Sequence, residues 1–492
     1  MDNPLASASR RIGRFQKALK MGTRSEELLS ELAERQPDAH NPHWAGSLTN
    51  LANYLRDLGR FDKALESAQQ AEQLRRKLAE RRPDAYRANW AMSLANLASH
   101  LEDLGRFDEA LERAAQAEKL LLELGARQPE IYHADWAHFL GNLANHLRDV
   151  GRFEEALNRA EEAEELRREL AARQPDAYRA EWAKSLRNLA SHLGNLGRFE
   201  EALDRAQHAE ELWRELAARQ PDAHCADWAR SLANLALCLS NLGRFKEALK
   251  KAEQAEDLWR ELAAREPEAH CAALASSLAA VANHLRDLRD LGRSEEALKK
   301  ASEAEELWRK LATGQPEAHR AGWAYSLGVV AEMLALNKKF FASLDAARQS
   351  CNILSERHAS WPSAYRNHLG AARRLFADAL LEVGNDKQAL AEARLARNLL
   401  AQEVAERSGL HVELLAKATL TLARCERAAG GDGAEVLLCG INRSAPWWES
   451  RERVLRKPVG ELIAMLRRLA PDRLSEIPPR MRAAYGDSNQ DS

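Results

Sequence analysis

Five asparagines recur at a constant interval of 46 residues in the first half of this chain, and four basic residues accompany the last three of them. The asparagines are Asn50, Asn96, Asn142, Asn188 and Asn234, and the basic residues are Arg148, Lys184, Arg187 and Arg230. An amide both donates and accepts hydrogen bonds, so a row of amides suits the main chain of an extended peptide. Guanidinium and ammonium groups bind carboxylates. These residues therefore predict a surface that binds a protein or peptide, with an acidic side chain or a free carboxylate as a suitable ligand.

The asparagines also have a purely structural interpretation. Asparagine in a helix interior costs about 0.5–0.7 kcal/mol relative to alanine, so a row of copies needs a reason. Hydrogen bonds between neighbouring helices, or inheritance from one duplicated unit, are alternatives to ligand binding. Asp103 and Asp149 lie near the basic residues and would partly neutralise them. Both interpretations stay open at the level of the sequence.

A periodic glycine and a periodic proline define the elements that must position these side chains. Gly59, Gly105, Gly151, Gly197 and Gly243 are 46 residues apart, and prolines from Pro37 to Pro362 keep nearly the same interval. Around Gly105, one apolar stripe with helical periodicity precedes the glycine (helix A: Trp90, Leu94, Leu97, Ala98, Leu101 and Leu104) and another follows it (helix B: Phe107, Ala110, Leu111, Ala114, Ala117, Leu121 and Leu124). Glycine tolerates the left-handed backbone that ends a helix, and proline is favoured in a first helical turn. The sequence predicts an all-α stack of helical hairpins.

The residues of this unit resemble a known repeat. The string Leu94-x-x-Leu97-Ala98-x-x-Leu101-x-x-Leu104-Gly105-x-Phe107-x-x-Ala110, with Ala117 further on, resembles the tetratricopeptide repeat, and its length resembles the kinesin light chain-like variety of bacterial arrays. The resemblance implies a right-handed α-solenoid of antiparallel helix hairpins. It also implies a concave groove lined by helix A residues 13, 10, 6, 3 and 2 positions before the turn glycine, which we call the groove stripe.

The period divides the chain into four parts. We expect a partial N-terminal repeat or cap at 1–36, a regular array at 37–315, degenerate repeats at 316–435, and an aperiodic helical cap with a polar tail at 436–492. Lys338 replaces a turn glycine, Leu274 replaces a tryptophan, and residues 286–291 duplicate three residues, which should lengthen helix A or its turn.

The groove stripe varies more than the scaffold between adjacent units. Of the 12 differences between units 151–196 and 197–242, four fall on the five stripe positions. Diversification for binding and drift of an exposed face both explain this variation. The most variable column is a candidate for partner specificity, and besides Lys184 and Arg230 it contains Met92, His138, Ser276 and Tyr325.

Composition limits the other functional classes. Basic and acidic side chains balance, 72 against 74, which disfavours attraction to nucleic acid or an anionic membrane. There is no long apolar run and no CxxC pair among the six cysteines, so we expect a cytoplasmic protein. We expect no catalytic residue, metal or cofactor, because no phosphate-loop, dinucleotide or metalloprotease motif occurs. A histidine column (His100, His146, His192 and His284) is predicted to pack between helices, and Trp213, Trp259 and Trp308 are predicted to pack at a half-exposed edge.

These observations favour a non-catalytic scaffold that binds a partner in its groove. One alternative is a sensor or recruitment subunit of a bacterial effector or signalling system whose enzyme is a separate chain. A helical-repeat RNA-binding protein is a second alternative, which the mixed charge of the groove disfavours. Self-association through the N-terminal end is also left open.

Overall fold

The computed structural model describes residues 21–127, 129–288, 291–407 and 411–485, and within these ranges it is built of α-helices joined by tight turns. Helix A of each hairpin begins at the periodic proline, and helix B begins after the turn glycine. The helices are α1 (21–35), α2 (Pro37–Asp57), α3 (Phe61–Arg81), α4 (Pro83–Asp103), α5 (Phe107–Arg127), α6 (Pro129–Asp149), α7 (Phe153–Arg173), α8 (Pro175–Asn195), α9 (Phe199–Arg219), α10 (Pro221–Asn241), α11 (Phe245–Arg265), α12 (Pro267–Asp287), α13 (Ser294–Gly314), α14 (Pro316–Leu336), α15 (Phe340–Ser360), α16 (Pro362–Glu382), α17 (Asp386–Glu406), α18 (Val412–Ala428), α19 (Ala434–Ser444), α20 (Trp448–Leu469) and α21 (Pro479–Ala484). The prediction of an all-α solenoid is confirmed.

The turn between helices A and B has the same hydrogen bonds in successive repeats. Gly105 has a φ of 72° and donates its N–H to the carbonyl of Glu102, while Arg106 donates to Leu101. This pair of bonds satisfies carbonyls that the helix end would leave without partners. Lys338, which replaces the glycine, takes the same left-handed conformation with a φ of 57°. The turn therefore survives the loss of its glycine, at the conformational cost of a side chain in that region.

Each helix packs against the helices before and after it, and neighbouring A helices also touch each other along one side of the solenoid. The A helices thus form the inner layer. Leu94, Leu140, Leu186 and Leu232 occupy one position of this layer and are at most 1% exposed. Small residues such as Ala110 and Ala156 are fully buried at the start of the B helices, where they let the backbones approach. A larger side chain there would cost about 1–3 kcal/mol.

A tryptophan–glutamate hydrogen bond joins each of several A helices to the preceding B helix. Trp182 donates from Nε1 to Glu164 over 2.7 Å, and Trp228 donates to Glu210 over 2.9 Å. Leu274 stands where the next tryptophan would be, and there the buried carboxylate of Glu256 is bound by Lys300 instead, at 2.6 Å. The polar group stays satisfied although the repeat residue has changed, as a buried carboxylate requires.

Two predictions about the scaffold are corrected or narrowed. Trp213 and Trp259 are 1% and 3% exposed, so the prediction of a half-exposed edge was wrong for them; only Trp308 is partly exposed. Both indoles lie near a histidine of the next helix, His224 and His270, which helps to cover them. The three-residue duplication leaves α12 at 21 residues, so the extra length falls after the helix, although residues 289–290 lie outside the described ranges.

The last helices form one core of their own. Leu437, Ile441, Leu455 and Leu462 from α19 and α20 are fully buried together with Val412 of α18. The apolar run that the sequence showed near Val459 is part of α20, which covers the end of the array. Residues 1–20 of the predicted N-terminal cap and 486–492 of the polar tail lie outside the described residues. None of the helices described is long and apolar enough to cross a membrane.

Candidate binding groove

The predicted asparagine row lies on the inner, A-helix layer, but its members differ in their bonds. Asn142 bonds to His138 of its own helix at 3.3 Å, and Asn234 donates to Ser191 of the neighbouring A helix at 3.1 Å. Within the described residues, Asn50, Asn96 and Asn188 make no hydrogen bond through their side chains. Two of the amides therefore hold the protein itself, and three remain available to a ligand.

The basic residues of the middle groove all lie beside acidic residues. Lys184 pairs with Glu181 at 2.7 Å, Arg230 with Asp227 at 2.9 Å and Arg148 with Asp149 at 2.8 Å, each within its own helix. Arg187 reaches Asp227 of the next A helix only at 3.9 Å. The structure brings these cations to one surface and neutralises most of them there. Burial lowers the pKa of Arg187, so this guanidinium is the least solvated of the four.

The candidate specificity column is open to the groove. His138 and Ser276 are exposed, Met92 is partly exposed, and Tyr325 is 57% exposed. A large aromatic side chain with this exposure on an inner surface offers both apolar area and a hydroxyl group to a partner. These side chains are therefore at least partly accessible on the A-helix surface, and their role in specificity stays a prediction.

A pocket of about 410 Å³ opens in the second half of the same groove, between the A helices α12, α14, α16 and α18. Its polar walls are positions of the groove stripe, counted for the first two without the three-residue duplication before Gly292: Asn283, Arg286, Tyr325, Glu332, Arg374 and Lys417. Leu375 and Leu414 supply an apolar wall. Asn367 and His411 bond to each other at 2.8 Å beside it. This volume accommodates a few side chains of a polypeptide ligand.

The charged groups of this pocket, which we call the groove pocket, form a chain that crosses four A helices. Glu332 of α14 pairs with Arg286 of α12 and lies 3.4 Å from Arg374 of α16. Arg374 also pairs with Asp378 at 2.9 Å, and Asp378 lies 3.0 Å from Arg424 of α18. Burial is the main cause that raises the pKa of Asp378, even though its two arginine neighbours oppose the shift. Glu332 joins neighbouring repeats, and Asp378 does so as well in addition to its pair with Arg374 one turn earlier on its own helix.

Lys417 is the basic residue of the groove pocket that has no ion-pair partner among the described residues. Desolvation is the main cause that lowers its pKa; Arg374 and Arg286 lower the pKa further, while Glu332 and Glu413 oppose the shift. The side chain is exposed to the groove, so a carboxylate of a ligand could reach its ammonium group. Three cations and one carboxylate line the pocket, and two of the cations are also paired with acids just outside the lining, Arg286 with Asp287 and Arg374 with Asp378, which leaves Lys417 as the cation that can take an anionic group.

Sequence reasoning missed Lys417, Arg374 and Glu332 because it followed the asparagine row, which stops in the fifth unit. The signal was present in the groove stripe. Lys417 stands 13 positions before Gly430, in the same column as Lys184 and Tyr325, allowing for Lys338 as a turn residue. Arg374 stands ten positions before Gly384, as Arg187 does before Gly197. Extending the stripe through the degenerate repeats would have found them.

No group of three or more His, Cys, Asp or Glu residues that could hold a metal ion occurs in the described part of the chain. His100, His146, His192 and His284 are buried between helices at 2–8% exposure, as predicted for interface packing. Their Cα positions follow the repeat, so each lies in a separate interface and they do not converge.

Comparisons with known proteins identify the repeat. Residues 44–84 match the sequence model of the tetratricopeptide repeat. A comparison with curated proteins found no significant match. The matched repeat and the hairpin architecture together confirm the prediction of a tetratricopeptide-repeat array.

Solved structures with similar backbones have low sequence identity to this chain. BtubC (BKLC) from P. vanneervenii is 21% identical, with a TM-score of 0.42, over 50% of this chain and 92% of that one. Aspartyl phosphate phosphatase F from Bacillus subtilis is 13% identical, with a TM-score of 0.47, over 80% and 93%. A signal transduction ATPase with numerous domains and a tetratricopeptide repeat sensor, from Pyrococcus horikoshii, is 15% identical, with a TM-score of 0.43, over 81% and 55%.

Proposed function

We propose that this tetratricopeptide-repeat protein binds an extended segment of a partner protein in its groove, and that an acidic side chain or carboxyl terminus of that segment enters the groove pocket. The observation that carries the proposal is the cationic lining of the pocket, in which Lys417 lacks an acidic partner. A carboxylate placed there would accept hydrogen bonds from an ammonium group and bring the charge of the pocket closer to neutral.

The pocket also favours a particular neighbour for the acidic group. Leu375 and Leu414 line it beside the cations, so an apolar side chain next to the acid would gain buried area. Tyr325 and Asn283 provide polar groups that can bond to a peptide main chain. The proposed ligand is therefore an extended segment in which an acidic residue or the chain terminus adjoins an apolar residue.

The middle groove is the second candidate for acid recognition. Asn188 keeps an amide available there, and Lys184, Arg187 and Arg230 could exchange their present acidic partners for a ligand. Such an exchange gains less than filling an unpaired site, because the ion pairs with Glu181 and Asp227 would first have to break. The groove pocket is therefore the primary site of the proposal.

A selection of displayed random peptides on the full-length protein tests this assignment. Wild type should enrich peptides with an acidic residue beside an apolar one, and Lys417→Glu should lose that enrichment because it reverses a charge in the pocket. Lys310→Glu, which changes an exposed lysine on helix α13, is the matched control and should behave as wild type.

The two candidate sites give different outcomes in the same selection. If Lys417→Glu enriches the same acidic peptides as wild type, the groove pocket is not the site. Loss of enrichment in Lys184→Glu/Arg187→Glu/Arg230→Glu alone would move the site to the middle groove. Absence of any acidic preference in wild type would contradict acid recognition altogether.

The proposed activity is binding without chemistry, in a cytoplasmic setting. The six cysteines form no disulfide bond within the described residues, which supports that setting. A recruiting role, in which the bound partner is an enzyme or belongs to an enzyme complex, uses the same groove. Purification from the native host that brings down a protease or an NTPase, dependent on Lys417, would favour the recruiting version.

A further inference from the structure

Two edges of the solenoid touch each other although they are far apart in the sequence. Gly59 lies against the backbone of Glu317, Gly105 against Ser363 and Ala364, and Gly197 against Arg453; the separations are 258, 258 and 256 residues. A Cβ atom on these glycines would come within 2.5–2.8 Å of atoms of the later repeat. The constant separation shows that one superhelical turn packs directly on the next. We call this contact the seam.

Side chains reinforce the seam at several levels. The rings of Phe61 and Trp361 meet edge to face with centroids 5.7 Å apart. The guanidinium of Arg407 lies 3.6 Å from the centre of the Phe107 ring, and Glu200 forms an ion pair with Arg453. Aromatic and cation–π contacts of this kind are attractive beyond the apolar area that they bury.

A cavity of about 650 Å³ remains between the turns beside the Phe107–Arg407 contact. The contacting atoms therefore occupy only part of the facing edges, and the seam closes at discrete points.

Two places in the seam are departures from the chain's own repeat. The position before the periodic proline is polar or charged in seven units (Gln36, Arg82, Gln128, Gln174, Gln220, Glu266 and Gln315), and it is aromatic only at Trp361. Arg106, Arg152, Arg198 and Arg244 each bind the glutamate three positions later, but Arg60 is followed by Lys63 and instead lies 3.6 Å from Glu317 across the seam. Trp361 also contacts Arg357 and Tyr365 of its own hairpin, and the contact with Phe61 between turns adds a second partner.

The seam also fixes the width of the groove. A separation of about 257 residues corresponds to roughly 5.6 repeats of 46 residues per turn. With neighbouring helices about 8–10 Å apart, a ring of that many A helices is roughly 14–18 Å across between helix axes. The helices themselves are about 10 Å thick, which leaves a channel of roughly 4–8 Å. One extended chain fits such a channel, and a folded domain does not.

We infer that the seam is a gate over the groove, and that the partner it admits is an unfolded or extended polypeptide segment rather than a folded domain. The closed seam covers the groove from the side, so a segment in the middle of a long partner enters when the seam opens. The identity of the ligand in this inference rests on the proposed function, whereas the closed seam rests only on the contacts between the two turns.

Small-angle X-ray scattering of matched glycine variants tests the closed seam. Gly59, Gly105 and Gly243 have φ values of 71–73°, so alanine pays the same backbone cost at each. Gly59 and Gly105 face the later turn, whereas nothing lies within 4 Å of Gly243. Gly59→Ala and Gly105→Ala should increase the radius of gyration and the maximum dimension, and Gly243→Ala should not. Equal profiles for all three variants at equal helicity would overturn the seam.

A second variant and a labelling assay test the gate. Trp361→Gln restores the commonest residue of that column, so it should fold normally and open the seam; scattering unchanged from wild type would contradict the inference. Tyr325→Cys should react with a small maleimide in the closed protein, and a maleimide carried by a small folded protein should react only after Trp361→Gln is added. Reaction with the folded reagent at equal rates in both backgrounds would exclude a gate.

These measurements need no ligand. A failed peptide selection with an intact seam would therefore contradict the proposed function alone, and an open structure with intact acidic-peptide selection would contradict the gate alone.

Discussion

The two halves of the groove use the same stripe of positions but arrange their charges differently. In the middle of the array, Lys184 and Arg230 each bind an acid three positions earlier on the same helix. In the later repeats, Glu332 and Asp378 stand six positions before the turn residue and bind arginines of neighbouring A helices. In the middle of the array, where each acid binds a cation of its own helix, the groove surface is close to neutral. In the later repeats, where acids bind arginines of neighbouring helices, the charges form a connected network in which Lys417 has no ion-pair partner among the described residues.

The difference shows what a degenerate repeat can contribute. The early units are nearly copies of one another, so an acidic residue is already present one helical turn before Lys184 and before Arg230. The later units have lost the turn glycine at Lys338 and the asparagine row, and in exchange they have acquired interactions between repeats. In a solenoid, the total stability is the sum of the stabilities of the single repeats and of the interfaces between them. The bridging ion pairs contribute to the stability of the interfaces.

The halves also differ in the polar groups buried between their A helices. His100, His146 and His192 fill one column in the early repeats, and Met333, Ala379 and Cys425 stand at the corresponding places in the later ones. Burial lowers the pKa of His100 and of His192 to about 4, with Arg56 and Arg148 as further causes. This column is therefore acid-sensitive in the early repeats and has no histidine at the corresponding places of α14, α16 and α18; outside the column, burial also lowers the pKa of His368 in α16.

Of the differences between the two halves, the loss of stability at low pH should be the largest. A folded-state pKa below the ordinary value means that the neutral imidazole stabilises the fold, so this contribution is present above pH 6.5 and is lost as the pH falls from 6.5 towards 4. Each of the two histidines then lowers the free energy of unfolding by up to about 3 kcal/mol. Hydrogen exchange measured by mass spectrometry at pH 7 and pH 4.5 should show protection lost first in α4–α9. Protection lost first in α14–α18 would contradict the comparison.

His192→Met provides the control for this experiment, because Met333 shows that the column accepts methionine. The variant should lose the acid response of α8 and its neighbours while keeping protection at pH 7. An unchanged acid response would mean that other groups cause it.

Removing one bridging acid should give the next largest effect. Glu332→Ala leaves Arg286 and Arg374 in the groove pocket without their shared carboxylate, and it should lower the free energy of unfolding by about 1–3 kcal/mol. Glu181→Ala removes the exposed same-helix pair with Lys184 and should cost at most about 0.5 kcal/mol. Urea denaturation followed by circular dichroism measures both. Equal costs would show that bridging and local acids contribute alike.

Replacing the unpaired cation should have the smallest effect on stability. Lys417→Met removes a positive charge that has no ion-pair partner among the described residues and lies near Arg374, so the melting temperature should stay the same or rise slightly, while binding of the acidic peptides recovered by selection should weaken at least tenfold. A marked fall in melting temperature would show that Lys417 has a structural partner and would remove the basis for calling it the unfilled site.

The sequence by itself determined the repeat, the helix ends and the inner stripe. These features depend on interactions within one hairpin, such as Pro83 opening a helix or Gly105 closing one, and the apolar spacing records which face is buried. The same local reasoning placed Trp213 and Trp259 at a half-exposed edge, because it could not see the histidines of the next helix covering them. It also ended the candidate site in the fifth unit.

Only the tertiary structure decided where the groove pocket and the seam lie. The pocket joins side chains about one repeat apart, and the seam joins Gly59 to Glu317 and Gly197 to Arg453 across more than five repeats. These contacts depend on the pitch of the superhelix, which is the sum of small rotations at every interface between hairpins. No single unit encodes that sum. Trp361 therefore looks in the sequence like an unexplained departure from the polar residues of its column, and only the folded protein shows that it contacts Phe61 of the earlier turn.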